Sequence, residues 1–406
     1  MDELLEHAKD LDASYVMQTY KRLPVAFVRG RGTRLWDSSG NEYLDMVAGL
    51  GVTVLGHCHP AVTETICEQA AKLIHTTNLY YVEPQAELAE LLVERTFPGS
   101  RCFFANSGAE ANEGALKLAR KYHYLRGDPR EKVVCLLGAF HGRTMATLSA
   151  TGQPAKWEPF GPVMPGFSHV PLNDAVALLA EIDENTAAVV LEPVQGEGGI
   201  HVLEKDFIKA AREACDRTGA VLIVDEIQSG MGRTGTFFAL EQSGVTADVV
   251  TIAKGLANGV PAAAFMARGE FGEVLSPGEH GTTFGGGFLA CAAAHTTVKT
   301  ILDEGLADNS AKIGALLFDR LLEMAATVPI VTEVRGRGLM LAVQLDREIA
   351  WDVVLGCMSK GVLVNNVSPS AVRMLPALIL TEEDAMKAAG VLEEVLAGFS
   401  ESARGA

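Results

Sequence analysis

The sequence predicts an α/β fold organised around one mostly parallel sheet. Three observations point to it. Short runs rich in apolar and β-branched residues recur through the middle of the chain, amphipathic stretches of helical period separate several of them, and the runs are apolar at successive rather than alternate positions. A strand that is apolar on both sides is covered on both faces, which is the pattern of a parallel sheet wrapped by helices.

In chain order the runs are 101–106, 132–138, 187–192, 220–226, 248–253 and 261–266, with helices expected over 111–124 and 205–218. Before them, Asp37-Ser-Ser-Gly40-Asn41 reads as the turn of a hairpin. After them comes a long helical stretch from about 287, strands within 333–345 and 361–367, and a last helix from Thr381. No repeat, low-complexity tract or Ser/Gly/Pro linker divides the chain. The expected organisation is an N-terminal segment (1–60) joining a small lobe, a large α/β domain (61–305) and a C-terminal small domain (306–406). A length of 406 residues suits two or three such units.

Composition narrows the function classes. With 48% hydrophobic and 21% charged residues the chain is that of an ordinary globular protein, and charged or polar residues interrupt every apolar stretch long enough to span a membrane. A net charge of −17 argues against nucleic acid or an anionic membrane as partner. Small anionic ligands would have to be held by local arginines or main-chain amides. The seven cysteines are odd in number and scattered without a Cys-x-x-Cys pair, so neither a disulfide frame nor a zinc site is expected. His57-Cys-His59 lacks a third ligand at useful spacing and reads as a turn; no metal is expected. The acidic start, Met1-Asp-Glu, is unlike a leader peptide, and the expected location is the cytoplasm.

Five of the apolar runs end in polar, Gly-flanked loops, and strand carboxyl ends are where open α/β sheets bind ligands. Asn106-Ser107-Gly108-Ala109-Glu110 opens a helix. It reads as a capping box or, with free amides and a glycine, as a phosphate site. In Phe140-His141-Gly142-Arg143, the ring could be core or could stack on a flat ligand. The histidine could be a satisfied loop residue, and Arg143 could fork onto a carboxylate. Glu192-Pro-Val-Gln-Gly-Glu197 is a turn, or carries an acid that gates an arginine. Asp225 and Lys254, twenty-nine positions apart, close the next two runs. A lysine at a strand end commonly just reaches solvent. Opposite a buried carboxylate it is also the amine that pyridoxal-phosphate chemistry requires. An acidic strand end fits an ATPase only with a Gly-x-x-x-x-Gly-Lys-Ser/Thr loop, which the chain lacks. Gly230-Met-Gly232-Arg-Thr-Gly235 has the Gly-x-Gly-x-x-Gly spacing, but no helix opens at its glycines. It is expected to be a flexible turn, with a nicotinamide-dependent oxidoreductase as the competing reading.

Taken together, Leu55 to Pro60, Thr77 to Pro84, Ser107 to Asn112, Phe140 to Thr144, Glu192 to Gly199, Asp225 to Gly235, Ala253 to Gly255, Gly281 to Phe284 and Val334 to Gly338 resemble the class III (ornithine-type) aminotransferases of fold-type I. The resemblance spans nearly the whole chain in the family's order. It implies a large sheet domain with a smaller lobe from both termini, and a pyridoxal 5'-phosphate cofactor held covalently by Lys254. Asp225 would keep the ring nitrogen protonated, Gln228 would lie near the ring oxygen, and Phe140 would stack on the ring with His141 beside it. Ser107, Gly108 and Ala109 would cup the phosphate. Thr283 would reach the phosphate of a neighbouring subunit, so a homodimer with shared sites is implied. Arg373 would bind glutamate's α-carboxylate, with Glu197 neutralising that arginine for the other substrate. Arg143, with Thr282 nearby, would hold the α-carboxylate of an acylated diamino acid. His141 and Gly198 favour the branch that moves the distal amine of N-acetylornithine to 2-oxoglutarate, a step of arginine biosynthesis. Succinylornithine, succinyl-diaminopimelate, ornithine and 4-aminobutyrate are the alternative donors. Departures from the family pattern are Gly287-Phe288, Ala377 and Thr53, the last placing donor choice in question.

Overall fold

The computed structural model describes residues 2–402. Seven strands form the central sheet: β1 (Ser100–Ala105), β2 (Lys132–Leu136), β3 (Phe167–Val170), β4 (Thr186–Leu191), β5 (Val221–Asp225), β6 (Val249–Ile252) and β7 (Ala263–Arg268). Their spatial order is β1-β7-β6-β5-β4-β2-β3. Pairing is parallel from β6 through β3, while β7 runs antiparallel to both β6 and β1. Six of the seven strands therefore point the same way. The reversed strand β7 starts, rather than ends, at the edge where the others finish.

The physical basis is the one the pattern predicts. Every residue of β4, β5 and β6 is buried, because helices cover both faces. Gly108–Leu125 packs against β7 and β6 on one side. Its start is fixed by Ser107, whose hydroxyl accepts from the Glu110 amide at 3.3 Å. The helix Lys205–Thr218 buries Phe207, Ile208, Ala211, Ala214 and Cys215 and stops at Gly219, whose φ of +78° is the left-handed cap that glycine adopts freely. The strand expectations agree with the structure to within a residue or two, and the helix that was expected from Ala111 begins three residues earlier. Edge strand β3 was not anticipated, because Phe-Ser-His-Val is too short and polar to read as buried.

The chain ends meet in a smaller lobe. The expected hairpin is present, with Arg34–Asp37 antiparallel to Glu42–Asp45 around the turn. Val362–Leu363, from the far end of the sequence, adds to it in parallel. Asp384 on the last helix (Glu382–Ser402) receives hydrogen bonds from Thr33 and Arg34. A second antiparallel sheet orders Val331–Arg337, Met340–Leu345, Ala371–Met374 and Asn365–Ser368. The domain expected over 306–406 thus includes residues 403–406, which lie outside those described. Among the described residues no helix is long and apolar enough to cross a membrane, and no cluster of His, Cys, Asp and Glu has the makings of a metal site. His57 instead hydrogen-bonds Asp45 at 2.7 Å.

The turn Gly230–Gly235 is largely buried and is not a nucleotide loop, since no helix opens at its glycines. Gly230 to Thr234 are buried, and the Arg233 guanidinium donates to the carbonyls of Leu339 (3.2 Å) and Pro376, tying the turn to the smaller lobe. The next helix is a five-residue 3-10 segment, Ala239–Ser243. The glycines have local structural causes: Gly232 and Gly235 hold φ of +84° and +99° and pack against Leu378 and Ala311, and a Cβ on Gly230 would lie 2.7 Å from the Glu226 carbonyl oxygen.

Candidate active site

The carboxyl ends of β1, β2, β4, β5 and β6 open onto one cavity of about 410 Å³. Ser107, Gly108, Ala109, Phe140, His141, Arg143, Glu197, Asp225, Gln228 and Lys254 all line it. Ten residues anticipated from separate strand ends thus converge on a single space, as the parallel strand order requires.

Lys254 follows β6 with a φ of +41°, a conformation that a lysine rarely adopts. The turn projects its amine into the cavity, where Nζ has no hydrogen-bond partner among the described residues. The side chain opens to the cavity but is surrounded by protein elsewhere. Burial pushes its pKa down from the ordinary lysine value, outweighing the pull of Glu197 and Asp225. A lysine amine shifted toward neutrality is nucleophilic and can carry a proton in either direction.

Asp225, at the end of β5, is buried and fixed from three sides. His141 Nδ1 (2.8 Å) and Asn112 Nδ2 (2.7 Å) donate to Oδ2, and the Ile227 amide (3.0 Å) donates to Oδ1. Asn112 in turn accepts from the Thr251 hydroxyl at 2.7 Å and donates to the His141 carbonyl. Burial alone would lower the His141 pKa, but the hydrogen bond and charge of Asp225, with Glu192 behind it, raise it. His141 therefore serves this site through Asp225, fixing the position of its carboxylate by the hydrogen bond from Nδ1.

Ser107 and Gly108 place the N-terminus of an 18-residue helix at the cavity wall, so free amides and the positive end of the helix dipole face it. Gly108 keeps this approach tight: a Cβ there would lie 2.7 Å from Ile227 Cδ1 and would have to displace it. The close approach is by Ile227, two residues after Asp225, whose own amide donates to the Asp225 carboxylate, so the helix start packs directly beside it.

On the opposite wall, Glu197 Oε1 accepts from Arg373 Nη1 at 2.7 Å and from Gln228 Nε2 at 3.2 Å. Arg373 also donates to the Gly196 carbonyl (2.9 Å) and to Gln228 (3.3 Å). Burial would raise the Glu197 carboxyl, but Arg373 overrides it and holds the group at about 2. Gly196 permits this cluster, since a Cβ would stand 2.0 Å from Gln228 Oε1. Arg373 itself is buried behind Glu197 and does not line the cavity.

Two anticipated residues fall elsewhere. Thr282 lines a neighbouring groove and touches the site only through its hydroxyl, which accepts from Asn106 Nδ2 at 3.1 Å. Thr283 is exposed and does not line the cavity within its own subunit.

Sequence reasoning missed Asn112, Thr251, Glu192 and Lys156. Glu192 accepts from the Phe140 amide at 2.9 Å, and burial pushes its carboxyl up to about 7. Its place at the end of β4, in register with Asp225 at the end of β5, was the available signal. Asn112 had one too, lying one helical turn past Gly108. Lys156 had none, because only the folded chain brings it over Phe140.

Comparison with known proteins adds to this geometry. A family model described as aminotransferase class-III matches residues 15–396. The acetylornithine aminotransferase of Methanopyrus kandleri is 49% identical over 391 residues, 96% of this chain and 98% of that one. The acetylornithine aminotransferase of Caldanaerobacter subterraneus is 46% identical over 386 residues, 95% and 98%. Among solved structures, an ornithine aminotransferase from Toxoplasma gondii with partial occupancy of PLP at its active site superposes with a TM-score of 0.95 at 36% identity, covering 99% of this chain and 96% of that one. The acetylornithine aminotransferase of Elizabethkingia anophelis superposes with a TM-score of 0.89 at 33% identity, covering 97% and 99%.

Proposed function

This chain belongs to the class-III aminotransferases, and we propose that it moves the distal amino group of N-acetylornithine to 2-oxoglutarate, giving N-acetylglutamate semialdehyde and glutamate. The observation that carries the substrate assignment is the near-full-length identity to several acetylornithine aminotransferases. The role that follows is a step of arginine biosynthesis in the cytoplasm.

Pyridoxal phosphate is the cofactor, and the residues of the cavity fit it. A helix N-terminus suits the phosphate, the half-buried Phe140 ring suits a flat heterocycle, a fixed carboxylate suits a protonated ring nitrogen, and an unpaired amine suits an aldehyde. When bound, the cofactor supplies a carbonyl carbon that joins to amines and a ring that accepts electron density from the carbon beside them.

The chain's own residues do the rest. Lys254 would hold the cofactor until the substrate amine takes its place, and its freed Nζ, shifted below the ordinary lysine value by burial, would then carry a proton from the substrate carbon and return it. Asp225, positioned by hydrogen bonds from His141 and Asn112, would hold the ring-nitrogen proton. Ser107, Gly108 and Ala109 would bind the phosphate, with Gln228 beside the ring. Arg143 has no carboxylate partner among the described residues, which leaves it free for the α-carboxylate of the amino donor. Arg373 is neutralised by Glu197 while that donor is bound. When Glu197 turns away, Arg373 becomes available to glutamate's α-carboxylate. Both substrates can then use one site without a lasting unpaired charge.

A homodimer completes the reading. Leu79, Tyr80, Tyr81 and Phe284 are exposed around Thr283, and Asn78 ties the two segments by donating to the carbonyls of Thr282 (3.3 Å) and Gly285 (3.0 Å). An apolar patch of this kind calls for a partner surface, and a second copy would bring Thr283 to the neighbouring phosphate. We further propose the division into 1–60, 61–305 and 306–406. It is supported by the strand that residues 362–363 add to the N-terminal hairpin.

A donor panel with 2-oxoglutarate tests the assignment. N-Acetylornithine should give the highest kcat/KM, ahead of succinylornithine, succinyl-diaminopimelate, ornithine and 4-aminobutyrate. A clear lead for ornithine would move the chain to the branch of its Toxoplasma structural neighbour.

A further inference from the structure

We infer that Lys156 is a specificity-determining residue. With Arg143 it makes the cavity mouth doubly cationic, so that a donor whose α-nitrogen is acylated is favoured over one whose α-nitrogen is a free ammonium. This inference rests on the aminotransferase reading above and concerns the same mouth.

Lys156 ends a one-turn 3-10 segment, Pro154–Lys156, that follows the Phe140 loop. The segment is anchored just before it, where Gln153 Nε2 donates to the Gly138 carbonyl at 2.9 Å. From there Lys156 Nζ stands 4.7 Å from the centre of the Phe140 ring, and the Arg143 guanidinium carbon stands 5.5 Å from the same centre. The ring is held in place by the bond from its own amide to Glu192. Two cations thus stand beside one ring: Arg143 lines the cavity, and Lys156 lies just outside that lining, next to the Phe140 ring at its mouth.

Neither cation has a carboxylate partner among the described residues, and the acids near them are taken. Glu197 is occupied by Arg373 and Gln228, and Glu192 by the amides of Phe140 and Gly196. Burial, followed by the charge of Arg143, holds the Lys156 ammonium below the usual lysine value, as expected for cations kept together.

A diamino acid that presents its distal amine to Lys254 leaves its α-carbon at the mouth. The α-carboxylate is attracted to both cations whichever donor is bound, so that attraction cancels between donors. What differs is the α-nitrogen. As a free ammonium it is repelled by Lys156. As an amide it is neutral, and its carbonyl oxygen can accept a hydrogen bond from Nζ. One like-charge contact near a protein surface is worth roughly tenfold in relative affinity.

The test is the ratio of kcat/KM for N-acetylornithine to that for ornithine, measured with the holoenzyme and three variants. Lys156→Arg should preserve the wild-type ratio. Lys156→Met should lower it about tenfold, chiefly through a smaller KM for ornithine, and Lys156→Glu should lower it further. A purely structural role would lower both activities together and leave the ratio unchanged. A flat ratio across the series in active enzyme overturns the inference. If the wild type accepts neither donor, the functional reading itself fails, and that outcome is evident before any variant is made.

Discussion

At the floor of the cavity Asp225 receives hydrogen bonds from His141, Asn112 and the Ile227 amide, whereas at the mouth Arg143 and Lys156 have no carboxylate partner among the described residues. The floor is buried in the sheet, and a charge there must be satisfied by protein because water cannot reach it. The mouth is open to water, so a charge can stand unpaired at small cost and remain available to a ligand. The difference separates two tasks. Chemistry common to the family sits on rigid strand ends, while choice of donor sits on loops where a charge is easily changed.

Lys254→Ala should produce the largest loss and break the floor. Both half-reactions should fall by ~10⁴-fold or more, and the purified protein should lose the yellow colour of bound cofactor. A yellow, active variant would show that the floor amine is dispensable. Arg143→Ala should damage only the mouth: kcat/KM for N-acetylornithine should fall ~10–100-fold, mostly through KM, with cofactor absorbance intact. Loss of the cofactor in this variant would mean that floor and mouth are not separable.

The smallest effect lies behind the floor, at Glu226. It is fully buried, accepts from the Ser229 hydroxyl (2.6 Å) and the Leu240 amide (2.8 Å), and burial pushes its carboxyl up to about 7. The folded protein therefore keeps a proton there that the unfolded chain releases near pH 4.5. The resulting stabilisation is complete below pH 4.5 and is lost as pH rises toward 7. Glu226→Gln carries no such titration, so its Tm relative to wild type should climb between pH 5 and pH 8, by a stability difference of about 1–2 kcal/mol. A difference that stays constant with pH would show that Glu226 is ionised in the fold throughout that range.

Much of the floor was legible in the sequence. Val221-Leu-Ile-Val224, bounded by turn signals and rich in β-branched residues, reads as a strand buried on both faces, and Asp225 at its end then sits at the sheet's ligand-binding edge. Lys254, Ser107 and Phe140 follow by the same logic, because parallel strands deliver their ends to one edge. The turn at Gly230–Gly235 shows where spacing misleads. Its glycines satisfy a nucleotide pattern, yet they serve the packing of Arg233 against the carbonyls of Leu339 and Pro376. The pattern records tight turns with left-handed backbone at Gly232 and Gly235, not a nucleotide.

What the sequence determined by itself is therefore the class of the fold and the strand-end residues of the floor, Asp225 and Lys254 among them, since both follow from short-range periodicity and the polarity of strand ends; the Asn112 and Thr251 that brace Asp225 were not among them. What only the tertiary structure decided are pairings across distant segments. Glu197 meets Arg373 across 176 positions, His141 meets Asp225 across 84, and Lys156 comes to rest over Phe140. Such pairings are set by how loops return over the sheet, and no local pattern encodes them. The amine of Lys254 could be placed at a strand end from sequence alone. That it is shifted toward neutrality, unpaired and held beneath a cationic mouth is a property of the folded chain.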